Sequence, residues 1–295
     1  MDLQLSDDQV LFDETTARFL ETSCPISTVR EWAEKESAGF SLEWWRRGAE
    51  LGWTSLLVSE EDGGGSVSGH GLLDLVLVAE EMGRRVSPGP LIPVNVVASA
   101  VSELGTPEQR RSVLPGIVAG ETLATWCLAE PPGTWSAEAL RMEVRTKGQG
   151  FVVDGVKGPV EAAADADCFL VAARFDGAPT QFLVDSHTPG IMVTPAEGLD
   201  LVRRFSTVTF DGVVVPASAV VGEIGDAAGE IERLVDLAVV LQCAEMAGAV
   251  DQMLDVTIGY AFDRFSFGRP LASYQALKHR FADLKLWVEA CLATA

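Results

Sequence analysis

Between Tyr260 and Asp283 the chain reads YAFDRFSFGRPLASYQALKHRFAD, an amphipathic pattern that breaks at Phe-Gly-Arg-Pro and resumes at once. Glycine ends helices well and proline fits only a helix's first turn, so Gly268 and Pro270 mark the end of one helix and the start of another. By residue type alone, Arg264 pairs with Asp263 or another carboxylate while Gly268 and Pro270 join two bundle helices. A small anionic ligand is the alternative, because helix N-termini and a few local arginines bind phosphate whatever the global charge. Other chemistries lack their residues. His70, His187 and His279 are isolated, with no paired His/carboxylate spacing for a metal. No elbow motif supports a Ser or Cys nucleophile, and no GxGxxG follows a strand as a Rossmann site requires.

Composition narrows the partners. With 43 acidic against 22 basic residues in 295, the net charge of -21 repels nucleic acid and anionic membrane surfaces. Cys24, Cys127, Cys168, Cys243 and Cys291 are odd in number and lack CxxC spacing, which argues against a disulfide framework or zinc site and fits a reducing cytoplasm. MDLQLSDDQ carries acid where a signal peptide needs base, and LVDLAVVLQCAEMAGAV holds Asp236 and Glu245 within its apolar run. Nothing reads as exported or membrane-spanning.

The elements that must position the break fall into three blocks. Residues 1–121 read as helices: Leu5 to Leu20 behind Ser6 and Asp7, Leu42 to Leu51, Leu72 to Gly83, Pro93 to Leu104, and a shorter helix capped by Thr106. SEEDGGGSVSGHG, from Ser59 to Gly71, is a glycine-rich loop. Residues 122–225 are short β-branched or aromatic segments punctuated by Gly, Pro and Asp, an antiparallel β domain. Helical periodicity returns over 226–295, where Tyr274, Leu277, Phe281, Leu284, Val288 and Cys291 form one apolar stripe. That pattern stops without a cap, so the expected bundle is incomplete, and either the chain is a fragment or a partner completes it. Segregated helix and strand blocks indicate separate α and β domains rather than an alternating sheet.

This order, with LGWTSLLVSEEDGGG, VAEEMGR, ELGTPEQRRSVLPGIVAGE, CLAEP, VDGVKG, FDGVVVPASAVVG and the stretch from Tyr260 to Asp283, resembles the acyl-CoA dehydrogenase family over essentially the whole chain. The resemblance implies an N-terminal all-α domain, a central antiparallel β barrel and a C-terminal helical bundle. It implies FAD bound between subunits, α,β-desaturation of an acyl-CoA thioester, electrons passed to an electron-transfer flavoprotein, and a homo- or hetero-oligomer with another acyl-CoA dehydrogenase subunit. Arg264, Phe267 and Gln275 fall on the family's R-x-x-F-G helix end and later Gln, which contact flavin held by a neighbour. Arg264 would offer a planar fork to the pyrophosphate, Gln275 an amide, and the restart after Pro270 a fresh helix N-terminus. Trp126, Leu128 and Ala129 fall on the strand that contacts flavin in the β domain.

The chain departs from the family at three places. T-E-P-x-x-G-S-D is replaced by AEPPGTWS, Ala129 to Ser136, with Trp135 where a small residue lets amides approach the cofactor. K-x-W-I-[TS]-N is replaced around Pro159 and Glu161, which removes stacking and brings negative charge toward an anionic cofactor. The catalytic glutamate has no match: Ala238 stands at one family position, and Glu232 and Glu245 are the nearest acids. Glu245 reads as an acid paired or water-facing in a bundle; the alternative is a base in an apolar setting. These departures, with Arg264 and Gln275 retained, resemble relatives acting on sterol side chains, in which unlike subunits build each flavin site. The chain is expected to be an acyl-CoA dehydrogenase-type flavoprotein subunit. The alternatives are a helper that completes a partner's FAD site without catalysing, or an acyl-thioester oxidase or hydroxylase on the same fold.

Overall fold

In the computed structural model, which describes residues 4–34 and 39–294, six helices precede the strands. They are α1 (Asp7–Ser23), α2 (Ile26–Glu34), α3 (Leu42–Glu50), α4 (Gly71–Arg85), α5 (Leu91–Leu104) and α6 (Pro107–Val118). Residues 1–3, 35–38 and 295, including the first three of the acidic N-terminal stretch, lie outside the description. Ser6 and Thr106 both close capping boxes, with Gln9 and Gln109 reaching back to the cap backbone. Helix α5 is buried along nearly its whole length, and its buried Asn95 amide donates to the Trp53 and Leu91 carbonyls at 2.9 Å each. Trp44, Trp45 and Trp53 meet edge to face beneath it, all buried.

The strands are β1 (Ala124–Cys127), β2 (Glu143–Lys147), β3 (Gly150–Glu161), β4 (Cys168–Phe175), β5 (Ala178–Asp185), β6 (Ile191–Pro195), β7 (Phe205–Pro216) and β8 (Val220–Val221). They form one open sheet in the order β6-β7-β3-β2-β4-β5-β8, with β1 beside β4. The expected antiparallel barrel is therefore corrected twice. The sheet is mixed, because β1 and β2 both run parallel to β4, with Trp126 opposite Leu170 and Val144 opposite Phe175. It is also unclosed, because β6 and β8 end the order without pairing each other. The physical reason is visible in β4, where six successive residues from Cys168 to Ala173 are buried. Leu170 and Ala172 join the core shared with the helices, while Phe169, Val171 and Ala173 join the sheet's own core. A sheet covered by helices on one face has no need to close on itself.

Two long helices follow: α7 (Ala228–Asp263) and α8 (Gln275–Thr294), joined by a hairpin of β9 (Phe265–Ser266) and β10 (Arg269–Pro270). Helix α7 crosses α4 at two glycines. A methyl at Gly83 would lie 1.9 Å from the Glu245 carbonyl oxygen, and one at Gly248 would lie 2.0 Å from that of Glu80. Beside this crossing Arg84 of α4 pairs with Asp251 of α7, and Lys285 of α8 reaches the same carboxylate at 3.1 Å. Of the apolar stripe expected on α8, only Val288 is buried, and Leu284 is exposed, because among the described elements α8 packs mainly on α7 and the turn after the hairpin.

Gly248→Ala should therefore lower stability by about 3 kcal/mol, an overpacking cost imposed on backbone that cannot yield. Gly259→Ala, in the same helix with nothing near its added methyl, should raise it by about 0.5–1 kcal/mol. Urea unfolding of the two variants checks the contrast.

Candidate functional site

Two groups of expected residues exist, and the structure keeps them apart. The first surrounds β1. Trp126, Leu128 and Ala129 are all buried, the first two within the core that also holds Ile231 and Leu234 of α7. The Ala129 carbonyl accepts from Gly158 N–H at 2.8 Å. Trp135 packs edge to face on Trp126 at 6.4 Å between ring centroids, and the buried Trp126 indole N–H finds no acceptor among the described residues.

Several amides of the segment after Ala129 are spent internally. Gly133 N–H donates to the Glu130 carbonyl at 2.6 Å, Ala137 N–H to the Glu232 carboxylate at 2.9 Å, and Ala139 N–H to Ser136 Oγ at 3.2 Å. Arg141 and Met142 N–H donate to Glu130 at 3.0 and 3.1 Å. Glu130 is in turn ion-paired at 2.7 Å with Lys157, whose side chain is wholly buried and whose ammonium also donates to the Leu128 carbonyl. Burial pulls the Lys157 pKa down, and Glu130 opposes that pull. The amides of Gly133, Ala137, Ala139, Arg141 and Met142 are thus engaged within the chain rather than turned toward a phosphate in the way a nest is.

Beyond Lys157, Glu161 stands within the stretch where the resemblance expects K-x-W-I-[TS]-N. Its carboxylate is 14% exposed and lies 3.6 Å from Arg203, which also binds Glu245 of α7 and donates to Gln242 Oε1 at 2.5 Å. Asp200, Arg203, Gln242 and Glu245 line a cavity of about 180 Å³ with Gly83 and Ser87. Burial pushes Glu161 up to about 7, with Arg203 opposing and Glu245 and Asp200 reinforcing; burial raises Glu245 likewise. Three carboxylates thus surround one guanidinium where an anionic cofactor would need donors. The residues on this side do not fit FAD, and both candidate bases are engaged, Glu232 by Ala137 and Glu245 by Arg203.

The second group stands at the far end of α7. Arg264 closes the helix, with its N–H donating to the Tyr260 carbonyl at 2.9 Å, and its exposed guanidinium has no hydrogen bond or ion pair among the described residues. The expected helix restart at Pro270 is corrected here. The chain first makes the two-residue turn Phe267-Gly268, with φ of +50° and +78°, and α8 begins only at Gln275. Positive φ at both central residues is the type I′ geometry that suits hairpin twist, and it strains a bulky residue such as phenylalanine. Phe267 is 97% exposed on that turn. The frame beneath is rigid: Tyr274 OH donates to the Ser266 carbonyl at 2.7 Å, and the Arg269 guanidinium sits 3.9 Å above the Tyr274 ring. Gln275, exposed in the first turn of α8, likewise keeps its side chain free of hydrogen bonds among the described residues. A cation, an amide and an aromatic face are therefore presented outward, and this side fits FAD.

Glu245 and Arg264, the latter capping α7, are nineteen residues apart along one continuous helix, about 28 Å at 1.5 Å per residue. The two groups cannot meet in one chain. The sequence missed Arg203, which ties Glu161 to α7; its one signal was the adjacent basic pair Arg203-Arg204 just before β7.

Comparison with known proteins follows this geometry. The family profiles described as acyl-CoA dehydrogenase, N-terminal domain, and acyl-CoA dehydrogenase, C-terminal domain, match residues 6–121 and 227–295. The acyl-CoA dehydrogenase IpdE2 of Mycolicibacterium smegmatis is 29% identical over 98% of this chain and 76% of its own. Among solved structures, the Tcur3481-Tcur3483 steroid ACAD is 30% identical with a TM-score of 0.84, covering 96% of this chain and 74% of that one. The ChsE4-ChsE5 complex from Mycobacterium tuberculosis is 26% identical with a TM-score of 0.87, covering 98% and 76%.

Glu161 gives a pH signature. The unfolded chain releases this proton near the ordinary glutamate value of 4.5, whereas the folded chain holds it to about 7. The folded state binds more protons between those values, so this group's contribution to stability falls as pH rises through the window. Glu161→Gln should flatten the decline of unfolding free energy between pH 4.5 and 7, measured by urea unfolding at stepped pH. Separately, Lys157→Met should cost about 3–5 kcal/mol by leaving Glu130 unpaired in the interior.

Proposed function

The chain belongs to the acyl-CoA dehydrogenase family, and from that premise we propose that it is the completing subunit of a hetero-oligomeric acyl-CoA dehydrogenase. It lends Arg264, Phe267 and Gln275 to FAD seated in an unlike partner, and seats no FAD beside its own β1. The observation that carries this reading is the contrast between the two groups. Around β1 the amides of Gly133, Ala137, Ala139, Arg141 and Met142 are internally bonded and Glu161, Arg203 and Glu245 interlock, whereas at the hairpin the Arg264 and Gln275 donors are free among the described residues and a strained phenylalanine is fully presented. Strain held at an exposed tip is retained where it serves a contact.

In this role Arg264 makes charge-assisted hydrogen bonds to the pyrophosphate, Gln275 donates its amide, and Phe267 covers an apolar face of the cofactor. Flavin, when bound, supplies two-electron oxidation of the acyl-CoA thioester, and the partner carries the base that removes the α-proton. An electron-transfer flavoprotein takes up the electrons. The likeness to the ChsE4-ChsE5 complex and to a steroid ACAD supports a two-chain assembly and a bulky acyl group. The compartment that fits free cysteines is the cytoplasm, and among the described residues no helix is long and apolar enough to cross a membrane.

The test is the flavin content of the complex coexpressed with a flavin-bearing family subunit. Arg264→Ala should weaken FAD retention at least tenfold, the range for one lost charge-assisted hydrogen bond. Arg111→Ala, an exposed residue on α6, should leave it unchanged. Equal flavin content in wild type and Arg264→Ala contradicts the proposal.

A further inference from the structure

The five cysteines divide sharply by environment. Cys24, Cys127 and Cys168 are buried, and burial pushes their thiols up, to about 11 for Cys24 and about 12 for Cys168. Those three are poor nucleophiles, because the thiolate is the reactive form. Cys243 and Cys291 are the exposed pair. Although 48 positions apart in sequence, they line one cavity of about 230 Å³ between α7 and α8, with Met246, Ala247, Val250 and Thr294.

The helix register explains the meeting. The hairpin returns α8 along α7, and Lys285 and Asp251 meet at 3.1 Å between them. Cys243 lies eight residues back along α7 from Asp251, about 12 Å, and Cys291 six residues on along α8 from Lys285, about 9 Å. The two residues therefore sit within about 3 Å of the same level along the packed helices and border the same cavity, from which their side chains can turn toward each other.

We propose that Cys243 and Cys291 form a reversible disulfide that staples α8 to α7 when the protein meets a peroxide. One thiol attacks a peroxide oxygen, the O–O bond breaks, and a sulfenic acid forms with loss of water. The second sulfur then attacks the sulfenic sulfur, the S–O bond breaks, and a second water leaves. Two thiols give up two electrons and two protons, one peroxide is reduced to two waters, and a thiol reductant reverses the change. The staple closes a loop containing the whole hairpin, so it restrains the segment bearing Arg264, Phe267 and Gln275.

The experiment treats the folded chain with hydrogen peroxide, then counts alkylatable thiols and maps peptides by mass spectrometry. The expected result is loss of two of the five thiols in a monomeric product, one cross-linked peptide joining Cys243 to Cys291, and full recovery with dithiothreitol. Cys291→Ser should abolish the cross-link and leave Cys243 as a stable sulfenic acid trapped by dimedone. The proposal is overturned if both cysteines remain alkylatable, if each oxidises singly to sulfinic acid in wild type, or if the cross-link joins two chains.

Discussion

Everything in this molecule that bears on function is referenced to the crossing of α4 and α7, which two glycines allow. Gly83 lies under the Glu245 carbonyl and Gly248 under that of Glu80, so each helix offers a gap to the other's backbone at the same level. That approach sets α7 against the N-terminal helices, and Arg84, Asp251 and Lys285 carry the link on to α8. Because Glu245 sits on the crossing itself, its carboxylate is delivered to Arg203 and through it to Glu161. The interlock that fills the β side is thus a direct consequence of where α7 lies.

The length of α7 then separates the two ends of the problem. The helix runs from Ala228 to Asp263, contacts β1's surroundings in its first half and carries the hairpin at its far end. On the proposed reading a helix of this length keeps the two ends from one cofactor, and the flavin that Arg264 serves is seated in another chain. The two ends also differ in kind. Near β1 the named exchanges are internal, amide to carboxylate and lysine to glutamate, with Trp135 packed on Trp126. At the hairpin the internal bonds stop at the frame, Tyr274 to Ser266 and Arg269 over Tyr274, and the functional side chains extend past it.

Local signals carried much of the fold in the sequence. Ser6 and Thr106 were readable as caps because capping depends on residues three apart, and the break at Gly268 was readable because glycine and proline act on their own backbone. Pairing order was not readable. Nothing in ATWC states that it lies parallel to CFLVAARF forty-four residues later, so the strands were legible and the open mixed sheet was not. Glu161 and Trp135 stood out as misfits to the family pattern, and both are central to the interlocked side. Arg203, the partner of Glu161, was invisible because its role exists only once α7 is set in place. Glu245, read as either a paired acid or a base, proves paired.

The most direct measurement is the visible absorption spectrum of the purified chain, alone and after coexpression with a flavin-bearing family subunit. The expected result is no flavin band from the chain alone and full flavin bands from the complex, since the donors at the hairpin need a seat that this chain's β side does not offer. Flavin bands from the chain alone contradict the central claim, because they require FAD to enter beside Trp135 and displace the Glu161–Arg203–Glu245 interlock.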